Sequence, residues 1–414
     1  MAYKTTSTVF AVIKEAQFNQ GGTFTDADAI PATSDSSLKP EVTAIERKTR
    51  TNSFVKCPTI AGIEKGSGTL GVEIAPKGDG SHDLIGDLLF EVGLGVKEPA
   101  GAGTGAFITY ESVKGNDISF SASDQKITAT AEDFSKFRVG DTITVSGSTS
   151  NDGTYTIASI PATNELVVAE SLVDEAAGAD IVIYDNSLPI VREADATETG
   201  EANLYKLNKP CGSEASLAIM KVIGCDATDS QTLIFKGVVP GSVKLSFPTG
   251  DICTASFDLG ASSFDTRTGD TVPTITCGDS NPYVGKLAKF SVDGKTYEAK
   301  NIEVTISNTV TDLETITSTG IGAKITTQKE VKGTFTVLFE SYDELQKMKN
   351  NTDATLYLEL SQDSGANKFA MYMGRIRYSS VDVADDNGVV VNNIEFIAYE
   401  DENKEPILIA HQVS

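Results

Sequence analysis

Apolar residues recur at every second position through most of this chain. Leu70, Val72 and Ile74 are spaced in this way, as are Val243, Leu245 and Phe247, and Phe335, Val337 and Phe339. A period of two puts one face of a strand in a core and the other in water, so these stretches predict half-buried β-strands. The runs are punctuated by NDG (151–153), DNG (386–388) and VDGK (292–295). Asn, Asp and Gly tolerate positive φ, so each predicts a hairpin turn. Helical spacing is confined to two places. SHDLIGDLLFEV (81–92) puts Leu84, Ile85, Leu88, Leu89 and Val92 on one stripe, with Gly93 and Gly95 positioned to stop it. SYDELQKMKNN (341–351) carries Ser341 and Glu344 at the spacing of a capping box, with Leu345 and Met348 toward a core.

The pattern then repeats. Phe235-Lys236-Gly237 and Tyr372-Met373-Gly374 each place an aromatic two residues before a glycine. Both stretches continue through Ser-Val (Ser242-Val243, Ser380-Val381) to a glycine turn (Gly250, Gly388) and an alternating strand with Phe257 or Phe396. Upstream, SGTLGVEI (67–74) matches KGTFTVLF (332–339) through Gly68-Thr69 and Gly333-Thr334, and EASLAIMKV (214–222) matches DATLYLELS (353–361). A short helix follows the Gly-Thr strand in both halves. Matches in one order around one helix predict a duplicated β scaffold, with one-residue slips absorbed by bulges.

One difference carries information. The second helix runs almost directly into DATL, whereas more than a hundred residues separate the first from EASL. Within that gap, residues 107–185 have their own rhythm of short strands, flanked by the linker-like EPAGAGTGA (98–106) and DATETGEA (195–202). They predict an inserted all-β module with a core of Phe134, Phe137, Val139, Ile143, Val145, Tyr155, Ile157, Val167, Val168, Ile181 and Ile183. Such insertion is tolerated where the module's two ends lie close together.

Composition narrows the function. The 414 residues carry a net charge of -24 and no Lys/Arg cluster, which argues against tight neutralisation of a phosphate backbone. No apolar run approaches the length of a membrane span. The start, MAYKTTSTVFAVIKEAQFNQ, lacks the form of a secretory signal, so the product is expected to stay in the cytosol of the cell that makes it or to leave by lysis. Five widely spaced cysteines, Cys57, Cys211, Cys225, Cys253 and Cys277, predict neither zinc nor a disulfide framework. Cys253 shares a face with Ala255 and Phe257 and reads as core. His82 and His411 have no neighbouring nucleophile motif, and phosphate-loop and zinc-protease motifs are absent. Asp385/Asp386, Asp26/Asp28 and Asp152 read as turn carboxylates. No catalytic, cofactor-binding or metal site is assigned.

NIEVTISNTVTD (301–312), KGTFTVLFESYDEL (332–345), ATLYLELSQDSGANKFAMYMGRIRYSSVDV (354–383) and GVVVNNIEFIAYED (388–401) resemble the tail tube proteins of long-tailed bacteriophages. GTLGVEI, EASLAI, FKGVVPGSVKLSF and ASFDLGA repeat the resemblance in the first half. The resemblance implies a mainly β fold, a duplicated tail-tube-type β-sandwich or barrel with a short flanking helix in each half and an inserted all-β domain. The expected division is 1–106 plus 187–270, then 107–186, then 271–414. It further implies a non-enzymatic virion protein whose stacked rings form a hollow tube. DNA would pass through the lumen without specific binding. Two tube domains per chain predict a trimeric, pseudo-sixfold ring, with the insert pointing outward and an acidic wall repelling DNA. Residues 1–45 and 261–283 are expected ring-to-ring contacts. Partners would be further copies and the tape measure, terminator and distal tail proteins. Alternatives are another tail ring component, a terminator or distal tail protein, or a β-modular bacterial surface adhesin. A carbohydrate hydrolase ranks last.

Overall fold

The computed structural model describes residues 8–49, 57–75, 87–99, 112–130, 134, 137, 139–140, 142–178, 181–185, 201–207, 215–224, 228–273, 281–286, 288–293, 295–316, 320–361, 368–400 and 405–413. The protein is mainly β, as its alternation predicts. The first strands are β1 (Thr8–Lys14), β2 (Ala29–Ile30), β3 (Ser37–Ile45) and β4 (Ile60–Glu73), followed by helix α1 (Asp87–Leu94) and β5 (Gly95–Pro99). A separate group comprises β6 (Ser112–Gly115), β7 (Ser119–Ser121), β8 (Lys126–Thr128), β9 (Thr142–Ser146), β10 (Gly153–Ala162), β11 (Glu165–Val168) and β12 (Ile181–Asp185). Then come β13 (Glu201–Leu207), β14 (Leu217–Ile223), β15 (Gln231–Pro248), β16 (Thr254–Ala261) and β17 (Ser263–Thr268). The rest is β18 (Lys289–Val292), β19 (Lys295–Thr296), β20 (Ala299–Glu314), β21 (Ile321–Leu338), α2 (Asp343–Asn350), β22 (Ala354–Ser361), β23 (Lys368–Asp386), β24 (Val389–Ala398) and β25 (Leu408–Val413).

Eight strands form one antiparallel wall in the order β3-β4-β16-β15-β20-β21-β24-β23. Two outer sheets lie against it. One runs β2-β1-β14-β15-β17, the other β19-β18-β22-β23-β25-β13-β5. β15 and β23 are long enough to serve both layers: each pairs with an outer sheet along its first part and with the wall along its second. Both switch layers at bulges, which add local twist. Val243, Leu245, Phe257, Val304, Phe335 and Ile394 from the wall meet Leu217, Ile219, Phe235, Leu358 and Met371 from the outer sheets in one core.

The same pairing scheme occurs twice. β3–β4 corresponds to β20–β21, β4–β16 to β21–β24, β16–β15 to β24–β23, and β14–β15 to β22–β23. β17 on β15 corresponds to β25 on β23, and β1 on β14 to β18 on β22. Register aligns the two sets residue by residue. Ser242-Val243 and Ser380-Val381 each directly follow a bulge. Gly68 and Gly333 face Leu259 and Phe396 across the ladder, so Phe396 stands where Leu259 does, and Phe257 corresponds to Ile394. Likewise Leu217 corresponds to Ala354 rather than to Leu356. Both displacements are of two residues, which leaves every side chain on its predicted face. Gly237 and Gly374 fall one position apart in the same bulge, where Arg375 occupies the place of Gly237. The first bulge is tied by the buried Glu15 carboxylate, which accepts from the Gly237 N–H at 3.1 Å, and the second by Asp353, which accepts from Arg375 Nε at 2.9 Å.

Several local expectations change. Gly93 lies inside α1 and does not stop it; the chain passes into β5 at Gly95. A Cβ on Gly93 would stand 2.6 Å from Val243 Cγ2, so glycine lets the helix sit on β15. Leu89 and Val92 are buried, while Leu84 and Ile85 lie outside the described residues. Glu344 does not close a capping box. It is buried and accepts from the Tyr297 hydroxyl at 2.6 Å, while Ser341 Oγ accepts from the Asp343 N–H. DNG makes the expected two-residue turn, with Asp386 opposite Val389 and both Asn387 and Gly388 at positive φ. VDGK also closes a tight hairpin, Val292 opposite Lys295. NDG does not: β9 ends at Ser146 and β10 starts at Gly153, and the buried Asn151 side chain bonds to Val173 across the loop. Residues 8–14 are built into the first outer sheet as β1, with Phe10, Ala11 and Val12 buried. Residues 263–268 pair with β15, and Tyr283 is buried.

The strands β6–β12 form their own sheet, in the order β6-β12-β9-β10-β11-β8-β7, around a separate core. That core includes nine of the predicted residues, Phe134, Phe137, Ile143, Val145, Tyr155, Ile157, Val168, Ile181 and Ile183, and adds Val113, Ile118, Phe120, Ile127, Leu166 and Leu172. Val139 is exposed at a turn and Val167 is half-buried, facing away from Leu166 and Val168. The chain enters and leaves this region through β5 and β13, which pair with each other.

The repeated Gly-Thr has a steric cause. A Cβ on Gly68 would lie 1.9 Å from the Ser37 carbonyl oxygen, and one on Gly333 would lie 2.8 Å from the Glu303 carbonyl oxygen and 2.3 Å from Phe396. Gly333→Ala therefore loses stability by about 1–3 kcal/mol, although alanine is the better residue in an open strand. Urea unfolding of the two proteins side by side checks this.

Candidate assembly edges and the polar wall face

The wall has two different faces. Its buried face is covered by the outer sheets and helices: α1 lies on β15, with Phe90 5.4 Å edge-on from Phe257, and α2 lies on β23. The other face carries the alternate residues. Ser242, Lys244 and Ser246 of β15 stand beside Ser307, Thr305 and Glu303 of β20, and these stand beside Glu330, Lys332 and Thr334 of β21. Asp258, Ser256 and Thr254 continue it on one side, and Glu395, Asn393, Ser380 and Asp382 on the other. A shallow hollow on this face is lined by Glu303, Thr305, Lys332, Thr334 and Glu395.

The charges on this face are mixed. Lys244 sits 3.0 Å from Glu303, Lys332 2.9 Å from Glu330, and Lys39 3.5 Å from Glu41. The Ser67 hydroxyl, 2.7 Å from Glu41, holds that carboxyl below its ordinary value, and Lys39 adds to the effect. The face is thus not uniformly acidic.

The middle of the wall is a seam between the two pairing sets. β15 and β20 run antiparallel from Ser242↔Ser307 to Pro248↔Asn301. Buried Asn308 pins one end: its Nδ2 donates to the Gly93 carbonyl at 3.1 Å and to the Pro240 carbonyl at 3.0 Å. Lys329 Nζ reaches the Leu94 carbonyl, at the C-terminus of α1, at 2.5 Å. A cation is favoured at that end of a helix.

At its margins the wall stops. Among the described residues, β3 pairs with β4 alone, and Ser380–Asp386 of β23 pair with β24 alone. Both margins expose apolar residues: Val42 is 48 % exposed and Val383 40 %. An unpaired strand edge is a template for another strand.

The candidate chemical groups of the sequence do not converge. His411 is buried, with Nε2 3.1 Å from the Tyr283 hydroxyl, whose ionisation is suppressed by burial. His82 lies outside the described residues. Asp385 accepts from the Gly388 N–H, Asp386 pairs with Lys300, Asp28 accepts from Thr25, and Asp152 accepts from the Ser148 N–H. Each carboxylate thus serves its own turn or a neighbouring lysine. Cys253 is fully buried beside Ala255 and Phe257, and burial pushes its thiol up to about 12. Among the described residues, no three His, Cys, Asp or Glu side chains are grouped to hold a metal.

What remains, among the described residues, is a β wall with two unpaired margins. The sequence matches the phage tail tube proteins over residues 5–398. The chain belongs to the phage tail tube protein family. Individual curated proteins give no match. The match spans both pairing sets and the intervening β6–β12 region. Membership gives this tail tube protein a structural role in the phage tail, assembled with other tail proteins, and its family is not an enzyme class. Among the described residues, no helix is long and apolar enough to cross a membrane.

Asn308 was not legible in the sequence. It belongs to NIEVTISN, but its two acceptors lie far away in the chain and meet it only at the seam. Asn308→Ala removes both bonds and leaves two buried carbonyls short of a donor. The expected loss is about 1–3 kcal/mol, read as a lower urea midpoint with the secondary structure unchanged by circular dichroism.

Proposed function

We propose that this tail tube protein forms rings of three chains, stacked into the hollow tube through which phage DNA passes. The observation that carries the reading is the eight-stranded wall, four strands from each pairing set, ending in two open edges. Three copies would supply a closed barrel of about 24 strands. At about 4.8 Å between strands and the usual barrel tilt, its backbone diameter would be about 45–50 Å, wide enough for an aqueous channel. The face uncovered by helices and outer sheets would line the lumen.

In this reading the chain divides into a first tube domain (1–106 and 187–270), an inserted domain (107–186) and a second tube domain (271–414). The insert joins through β5 and β13, away from the wall strands, and projects outward. Tape measure, terminator and distal tail proteins would meet the tube at its lumen and ends. A non-contractile tail of a long-tailed phage is the expected setting.

DNA would slide because Lys39, Lys244 and Lys332 of the lumen face are already paired with carboxylates in the plane of the sheet. A cation paired in this way contributes little to phosphate binding, whereas each free one would add a salt-sensitive contact. Rings of a Glu303→Gln, Glu330→Gln double variant should retain duplex DNA at low salt and release it as salt rises, while the parent rings should not. Filter-binding across a salt series reads the difference.

Electron microscopy of the purified protein tests the assembly. End-on class averages should show a roughly sixfold wall with three projecting lobes. Six lobes would overturn the three-chain ring, and monomers alone at high concentration would overturn the tube.

A further inference from the structure

We infer that the two open margins of the wall are partners for each other on different copies of this chain, in a register set by the internal seam. The inference rests on the ring reading above and assigns the residues at the junction between neighbouring chains. β15 and β23 correspond through their bulges, so Ser242, Lys244 and Ser246 match Ser380, Asp382 and Ala384. β20 and β3 correspond through Gly333 and Gly68: Glu303 opposite Thr334 matches Ser37 opposite Thr69, which carries Thr305 to Lys39 and Ser307 to Glu41. At the seam Ser242 faces Ser307, Lys244 faces Thr305 and Ser246 faces Glu303. Repeating that geometry places Ser380 opposite Glu41, Asp382 opposite Lys39, and Ala384 opposite Ser37 of a second copy.

Two features that played no part in the alignment support it. The central pair joins opposite charges, and the Lys39 side chain is 72 % exposed in the single chain. Opposite charges across an antiparallel pair are stabilising. Exposure also changes as a second copy would require. Val383 is 40 % exposed, but its seam counterpart Leu245 is 0 % exposed; Val42 is 48 % exposed, but its counterpart Asn308 is 8 %. The apolar residues left in water at the margins stand where the seam has buried positions, Leu245 and Asn308. Pro40 stands in the place of Ile306 and has no N–H, so this junction has no more backbone bonds than the seam.

The test uses the full chain carrying Lys39→Cys with Asp382→Cys, assembled and mildly oxidised. Directly opposed strand residues have Cα atoms within disulfide reach. Non-reducing gels should show covalent dimers and closed trimers, absent from either single variant. A Glu41→Cys, Ala384→Cys chain is offset by four residues, about 13 Å, and should stay uncrosslinked. Crosslinking by the second pair and not the first overturns the register. Rings seen by microscopy with neither pair crosslinked overturn the β3–β23 junction but leave the ring intact. A parent that forms no rings removes the ring reading itself. The charge pair gives a second measurement if the cysteine chain does not assemble. Lys39→Asp and Asp382→Lys should each raise the concentration needed for assembly about two- to fivefold, and the double exchange should return it to the parent value. A double variant no better than the singles overturns the pairing.

Discussion

The structure depends on the hydrogen-bonding demand of the strand edge. A buried backbone N–H or C=O must find a partner, and a sheet satisfies this everywhere except at its last strands. In this tail tube protein the seam between β15 and β20 meets the demand for two edges at once. It joins the two pairing sets into one wall and lets both contribute to one core, so that Val243 and Val304 lie in the same cluster. Asn308 then fixes the end of the seam to α1 and β15 by two bonds from one amide. Without the seam each set would have one further open edge and a smaller core.

The seam also explains how the layers are built. β15 and β23 leave their outer sheets through bulges and continue as wall strands. The two bulges are held by different means, a buried glutamate on a glycine N–H in one and an aspartate on two arginines in the other. Equal backbone paths with unequal side chains are what the repeat looks like at atomic scale.

Much of this was legible in the chain. Period-two alternation is local and strong, so Leu70-Val72-Ile74 and Val243-Leu245-Phe247 were placed on the buried face directly. The Gly-Thr match was in true register because a close backbone approach forbids a side chain there. Matches without such a constraint drifted: EASL against DATL was off by two residues, which no hydrophobic pattern detects, since a slip of two preserves the faces. The capping box failed because Glu344 has a stronger use, buried against Tyr297. The strand nature of residues 8–14 was missed because TVFAVIK is too apolar throughout to alternate; both its faces are covered. The mixed charge of the polar wall face was not legible for a different reason. Net charge sums over the surface, whereas the Lys244–Glu303 pair depends on which residues the adjacent strands β15 and β20 bring together.

The seam has a kinetic meaning beyond its bonds. Two sheet edges carried on one polypeptide meet at an effective concentration set by the connecting chain, in the millimolar range for short flexible connections, rather than by how much protein the cell has made. Their contact therefore forms as part of folding, before any encounter between molecules. Closure of a higher-order structure from such chains needs fewer independent collisions than closure from single-set subunits, and each incoming molecule loses its translational freedom once for two wall segments. In the three-chain ring proposed above, the connection between β17 and β18 would move half of the junctions from a bimolecular process to a unimolecular one.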